Sequence, residues 1–198
     1  MGRPKRADKA GGIYHALSRG NARSTIVHKP EDYEALEQIL AEGLTRYACR
    51  ILAYQLMPNH WHFVLLPTED GGLSNFLRWV SLTHTMRSHA RYRTGGQGHV
   101  YQGRFKSFPI QDDDHFLLVC RYVERNALRA GLVRQSEDWR WGFAEEPMAG
   151  RTRAGTTPAI RLANCPLTAL DRAGQQAADR RGTQGRSQQC QSGLALWR

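Results

Sequence analysis

The chain lacks features that would place it in several protein classes. Its four cysteines stand alone at 49, 120, 165 and 190, with no Cys-x-x-Cys pair. A structural zinc ribbon is therefore not expected, and the thiols read as reduced, in a cytoplasmic protein. No apolar run approaches the roughly 18 residues of a membrane span. The opening Met1-Gly2-Arg3-Pro4-Lys5-Arg6 is basic with no apolar segment behind it, so no secretory signal is expected. Acids are also in short supply, at 18 against 28 Lys and Arg, for a formal net charge of +10.

That shortage is uneven. Residues 1–30 hold seven bases and one acid, 71–144 eleven and six, and 145–198 eight and four. Residues 31–70 reverse the sign, with seven acids and two bases. Basic segments thus surround one acidic element. A polyanion such as nucleic acid is the natural partner, with the acidic element turned away from it. At 198 residues and 40% hydrophobic, the chain suits one domain over 1–146 and a basic, loosely ordered tail over 147–198.

Within the domain, Ile13–Ser18 can alternate as a strand, closed by a turn at Arg19-Gly20-Asn21. Pro30 suits the first turn of a helix, and Tyr33, Leu36, Ile39, Leu40 and Leu44 recur at helical spacing up to Tyr47. Cys49–Leu56 and His60–Leu66 read as strands of an antiparallel hairpin around Met57-Pro58-Asn59. A helix over Leu73–Tyr92, a strand over Tyr101–Ile110 and a helix from Asp113 to Ala130, stopped by Gly131, complete the order. The series β-α-β-β-α-β-α predicts an α+β protein. Its core is a ferredoxin-like, four-stranded antiparallel sheet with packed helices, plus an extra C-terminal helix.

The stretch Met57-Pro58-Asn59-His60-Trp61-His62-Phe63 carries the most chemical information. In a strand, His60 and His62 share one face while Trp61, Phe63 and Leu65 share the other. Two adjacent imidazoles are half of a divalent metal site, or simply two histidines on a half-exposed strand. On the last helix, Tyr122 and Asn126 are four residues apart and share a face. His15, His84, His89, His99 and His115 have no comparable pairing and receive no ligand role.

Together these residues resemble the REP-associated tyrosine transposases of the single-tyrosine HUH superfamily. The segments that carry the resemblance are Tyr14–Asn21, Leu56–Leu66, Tyr101–Lys106 and Arg121–Val133, followed by Trp139 and Trp141. They occur in the family's order across residues 11–143. The resemblance implies that Tyr122 is the nucleophile and that His60, His62 and Asn126 hold Mg²⁺ or Mn²⁺. It also implies cleavage of single-stranded or hairpin DNA through a 5′-phosphotyrosine. A free phenol has a pKa of about 10, so attack at neutral pH needs help from a cation or a base.

By position, Arg19, Arg23, Arg104, Lys106, Arg121, Arg125 and Arg129 are the expected DNA contacts. The chain departs from many relatives after Met148, where their patterned C-terminal region is missing, and at Asn126-Ala127-Leu128, where they have Asn-Pro-Val. Two rival readings remain. One is a hairpin DNA-binding protein with weak or no catalysis; the other is a metal-dependent phosphodiesterase that activates water. The site could be built by a monomer or across a homodimer.

Overall fold

A computed structural model of the chain describes residues 8–111 and 113–144. The expected tail over 147–198 and the basic Arg3-Pro4-Lys5-Arg6 lie outside the described residues. The elements are β1 (Ile13–Arg19), α1 (Pro30–Arg46), β2 (Cys49–Met57), β3 (His60–Pro67), α2 (Gly72–Tyr92), β4 (Lys106–Ile110), α3 (Asp113–Glu124), α4 (Asn126–Arg129) and β5 (Gly142–Ala144). Every strand pairing is antiparallel, in the order β4-β1-β3-β2-β5. Among the described residues no helix is long and apolar enough to cross a membrane.

The first four strands give the expected ferredoxin-like sheet. The fifth corrects the expected count of four. At three residues, Gly142–Ala144 is too short to show an alternation. Tryptophans seat it instead: Trp141 stacks on Tyr33 at 4.8 Å, and the Trp139 indole donates to the Leu56 carbonyl at 3.0 Å. Gly142 packs closely there: a Cβ would stand 2.0 Å from the Gln55 side-chain oxygen and force that side chain to move.

Period-two alternation sorts the strand residues between two layers. Tyr14, Ala16, Trp61, Phe63, Leu65, Tyr54 and Leu56 join the apolar faces of α1 and α2 in the main core. On the other face, Ala53 and Val64 meet Cys120 and Val123 of α3 in a smaller cluster. The acidic α1 therefore lies on the face away from His60 and His62. Its acids are also met by arginines: Arg87 reaches Glu42 at 2.8 Å, Arg91 reaches Asp32 at 2.9 Å and Arg140 reaches Glu34 at 3.0 Å.

Two boundaries differ from expectation. The fourth strand begins at Lys106 instead of Tyr101, because Tyr101 and Phe105 turn into the main core and Gly103 takes a left-handed φ of 72°. The last helix breaks at Arg125 into α3 and α4. The Asn126 side-chain amide donates to the Tyr122 carbonyl at 3.3 Å, competing with the helix ladder at that point.

The main core contains a titratable chain built on Tyr101 and His84. The Trp61 indole donates to the Tyr101 hydroxyl at 3.2 Å, which in turn is hydrogen-bonded to His84 Nδ1 at 2.8 Å. Burial pushes the His84 pKa down to about 4. The folded state thus binds this proton more weakly than the unfolded chain, whose histidine titrates near 6.5. Stability from His84 is complete above about pH 6.5 and falls as pH drops toward 4, by about 3 kcal/mol. Urea titrations at several pH values should show this slope together with that of the other buried histidines, and His84→Gln should reduce it by the His84 share. An equal slope in that variant would remove His84 as the cause.

Candidate active site

The Arg19-Gly20-Asn21 turn builds one wall of the site. Gly20 donates to the Asn59 carbonyl at 2.8 Å, and Ile26 and Val27 donate to the Pro58 carbonyl at 2.7 and 3.1 Å. The chain passes so close that a Cβ on Gly20 would lie 2.1 Å from the Ser24 carbonyl oxygen. This wrap pins the Pro58-Asn59 turn. Asn59 Oδ1 then meets His60 Nδ1 at 2.7 Å, which fixes that ring. Ala22 and Arg23 hold left-handed φ values of 49° and 61°, a conformation costing L-residues about 1–2 kcal/mol each.

His60 and His62 project to the α3 face, their rings 5.0 Å apart and nearly perpendicular at 86°. His62 is buried, and its Nδ1 is hydrogen-bonded to His15 Nε2 at 2.9 Å. With both Nδ1 atoms engaged, Nε2 is the nitrogen each ring has left for a metal. His62 is pushed down to about 3, first by burial and then by His15, His60 and Arg19. Burial and Arg19 lower His60, and burial and His115 lower His15. All three imidazoles are therefore neutral near pH 7, the form that ligates.

The remaining two residues stand on either side of the helix break, Tyr122 in α3 and Asn126 at the start of α4. The Tyr122 ring stands edge-on to His62 at 5.6 Å and to His15 at 6.0 Å. It is 41% exposed, so a substrate can reach it. The Asn126 side-chain amide donates to the Tyr122 carbonyl at 3.3 Å, and Asn126 also acts on His60, partly opposing the fall in its pKa. His60, His62, Tyr122 and Asn126 thus converge within one chain. The donor chemistry fits a divalent cation: two neutral imidazoles and an amide leave positions open for phosphate oxygens and water. Among the described residues, no group of three His, Cys, Asp or Glu could hold a metal.

His15, given no ligand role from the sequence, enters the site as the hydrogen-bond partner of His62. It sits on the His60/His62 face of β1, across from Val64 and diagonal to His62. Only the β1–β3 register shows this. Its one signal in the sequence was its phase in the alternation, shared with Ile13 and Leu17.

The seven expected DNA contacts separate in space. Arg19 pairs in register with His60, and Lys106 pairs with Leu17, whose other neighbour is His62. The Arg129 guanidinium lies over the Tyr122 ring at 5.6 Å. Arg23 carries the carbonyl that accepts from the Asn59 side chain at 3.4 Å. Arg121 and Arg125, one before and three after Tyr122 in the sequence, are both exposed. Arg104 goes elsewhere, lining a cleft of about 460 Å³ against α2 with Arg78, Ser81 and His99.

The family model for IS200-like transposases matches residues 9–126, which include both histidines, Tyr122 and Asn126. The chain belongs to the IS200-like transposase family. No curated protein matches it. Among solved structures, this IS200-like transposase is similar to a REP-associated tyrosine transposase bound to a REP hairpin. The two share 24% identity over 72% of this chain and 82% of that one, with a TM-score of 0.60. A candidate transposase from Deinococcus radiodurans R1 shares 17% identity over 63% and 95% of the two chains, with a TM-score of 0.44.

Proposed function

We propose that this IS200-like transposase cuts and rejoins single-stranded DNA beside a hairpin-forming, REP-like palindrome, through a tyrosine–phosphate ester. The observation that carries this reading is the convergence of Tyr122, and Asn126 bonded to its carbonyl, with His60 and His62 on one sheet face. The REP hairpin bound by a protein of the same fold supports the choice of DNA.

In the forward step the Tyr122 hydroxyl oxygen attacks the scissile phosphorus and the bond to the 3′ oxygen breaks. The phenol gives up its proton and the departing oxygen gains one, so the products are a 5′-phosphotyrosine and a free 3′-hydroxyl. The ester conserves the bond, and a 3′-hydroxyl from a second strand reverses the step without ATP. Mg²⁺ or Mn²⁺, held by His60, His62 and Asn126, would withdraw charge from the phosphate when bound. Asn59 and His15 hold the two imidazoles in place. Arg129 beside Tyr122 and Arg19 beside His60 add fixed positive charge where the phosphate lies.

The test is a denaturing gel of the protein mixed with Mn²⁺ and labelled hairpin DNAs carrying single-stranded flanks. Label migrating at protein mass supports the reading. Binding without an adduct would favour a hairpin-binding protein with little catalysis, and freely released product would favour a hydrolase.

His15 carries its own prediction. For His62 to ligate through Nε2, its Nδ1 must donate the hydrogen and His15 Nε2 must accept it. His15→Ala removes that acceptor. Mn²⁺ affinity should fall by about tenfold or more, read by calorimetry or by the paramagnetic resonance of free Mn²⁺. His15→Gln, which offers an amide oxygen, should recover part of the loss. Unchanged affinity in His15→Ala would show that the bond does not serve metal binding.

A further inference from the structure

We propose that Phe108 is a stacking platform for a nucleobase of single-stranded DNA, placed beside the cut site; this inference rests on the strand-transfer reading above. The α3 helix packs over β2, β3 and β5, while β4 is the outermost strand beyond β1. On β4, Phe108 is 51% exposed, a large amount for a phenyl ring on a sheet that buries Tyr54, Trp61 and Phe63. Register places it on the catalytic face, because Phe108 pairs with His15, which pairs with Val64, two residues from His62.

The neighbours of Phe108 favour a nucleic-acid strand over another apolar surface. Its ring centroid is 6.5 Å from that of His15, which is itself 6.0 Å from that of Tyr122. Phe108 and Tyr122 are therefore no further apart than the sum of those spacings, within reach of neighbouring nucleotides. Lys106, two residues back on the same face and exposed, can meet a phosphate beside the stacked base. Cation and aromatic alternating along one track is the arrangement that holds unpaired strands, because every base has a π face. Pro109 argues against a second copy adding its own strand here, since it removes a backbone donor from the edge.

Stacking of this kind tolerates sequence, so the probe can be simple. We would use a thymidine oligonucleotide carrying a single 2-aminopurine, stepped along its length, and read both affinity and fluorescence quenching at low salt. At one position the full-length protein should quench the probe. Phe108→Ala should abolish the quench and weaken binding by about tenfold, and Phe108→Trp should restore both. Thermal melting of Phe108→Ala should match the parent, because the ring it removes is half exposed. Lys106→Gln should weaken binding and flatten its salt dependence while leaving the quench of bound probe intact.

Equal affinity and equal quenching in Phe108→Ala would overturn the platform, as would failure of the parent protein to bind the probe. The gel assay separates this from the catalytic reading. A quench that depends on Phe108, with no covalent adduct on any hairpin, would keep the platform and reject the strand transfer. An adduct that forms normally with no such quench would do the reverse.

Discussion

Tyr122→Phe is expected to abolish the covalent DNA adduct, by a factor on the order of 1,000 or more, while leaving the fold and hairpin binding intact. The change removes one oxygen atom. The ring stays, with its edge contacts to His62 and His15 at 5.6 and 6.0 Å and the Arg129 guanidinium over it at 5.6 Å. The side chain is 41% exposed, so losing the hydroxyl strands no buried partner. Stability should therefore move by no more than about 0.5 kcal/mol. Gel assays with Mn²⁺, paired with thermal melts and equilibrium binding to the same hairpin, separate these effects. An adduct that survives in Tyr122→Phe would transfer the nucleophile to another residue and remove the central claim of the mechanism.

The second large effect is structural. Trp61→Ala should destabilise the domain by about 3–5 kcal/mol, a large part of the roughly 5–15 kcal/mol that holds a domain together. Trp61 is fully buried, stacks on Phe63 at 4.2 Å between ring centres and donates to the Tyr101 hydroxyl at 3.2 Å. Truncation opens a cavity and leaves the buried Tyr101–His84 pair short of a donor. Trp61→Phe keeps most of the volume and loses one hydrogen bond, so it should cost less, about 1–2 kcal/mol. Urea denaturation read by circular dichroism would rank the two. A loss under about 1 kcal/mol for Trp61→Ala would show that the core tolerates the gap. Because Trp61 lies between His60 and His62, the alanine variant should also lose the proposed Mn²⁺ binding well below its unfolding midpoint.

Much of the site was legible because it depends on periodicity within single elements. The alternation His60-Trp61-His62-Phe63 sorted ligand candidates from core before any fold was known. The spacing of Tyr122 and Asn126 placed both on one side of a helix. What stayed hidden depends on pairing between distant segments. His15 becomes a partner of His62 only through the β1–β3 register, and no local pattern in Ile13–Arg19 encodes that. Lys106 and Arg104 look alike in the sequence, yet the turn of Tyr101 and Phe105 into the core sends one to the catalytic face and the other to the α2 cleft. The β5 strand is held by Trp139 and Trp141 more than by its own residues. The break at Arg125 arises from the Asn126 side chain reaching back along the helix.

The closure of the site within one chain has a kinetic consequence. The proposed nucleophile and the proposed cation donors share the same polypeptide, so their effective concentration is set by the fold and not by how many copies are in solution. For the proposed reaction, cutting is then first order in protein. Dilution lowers the fraction of DNA occupied but not the turnover of what is bound. A second copy would enter the rate law only at joining, when the 3′-hydroxyl must come from a different strand.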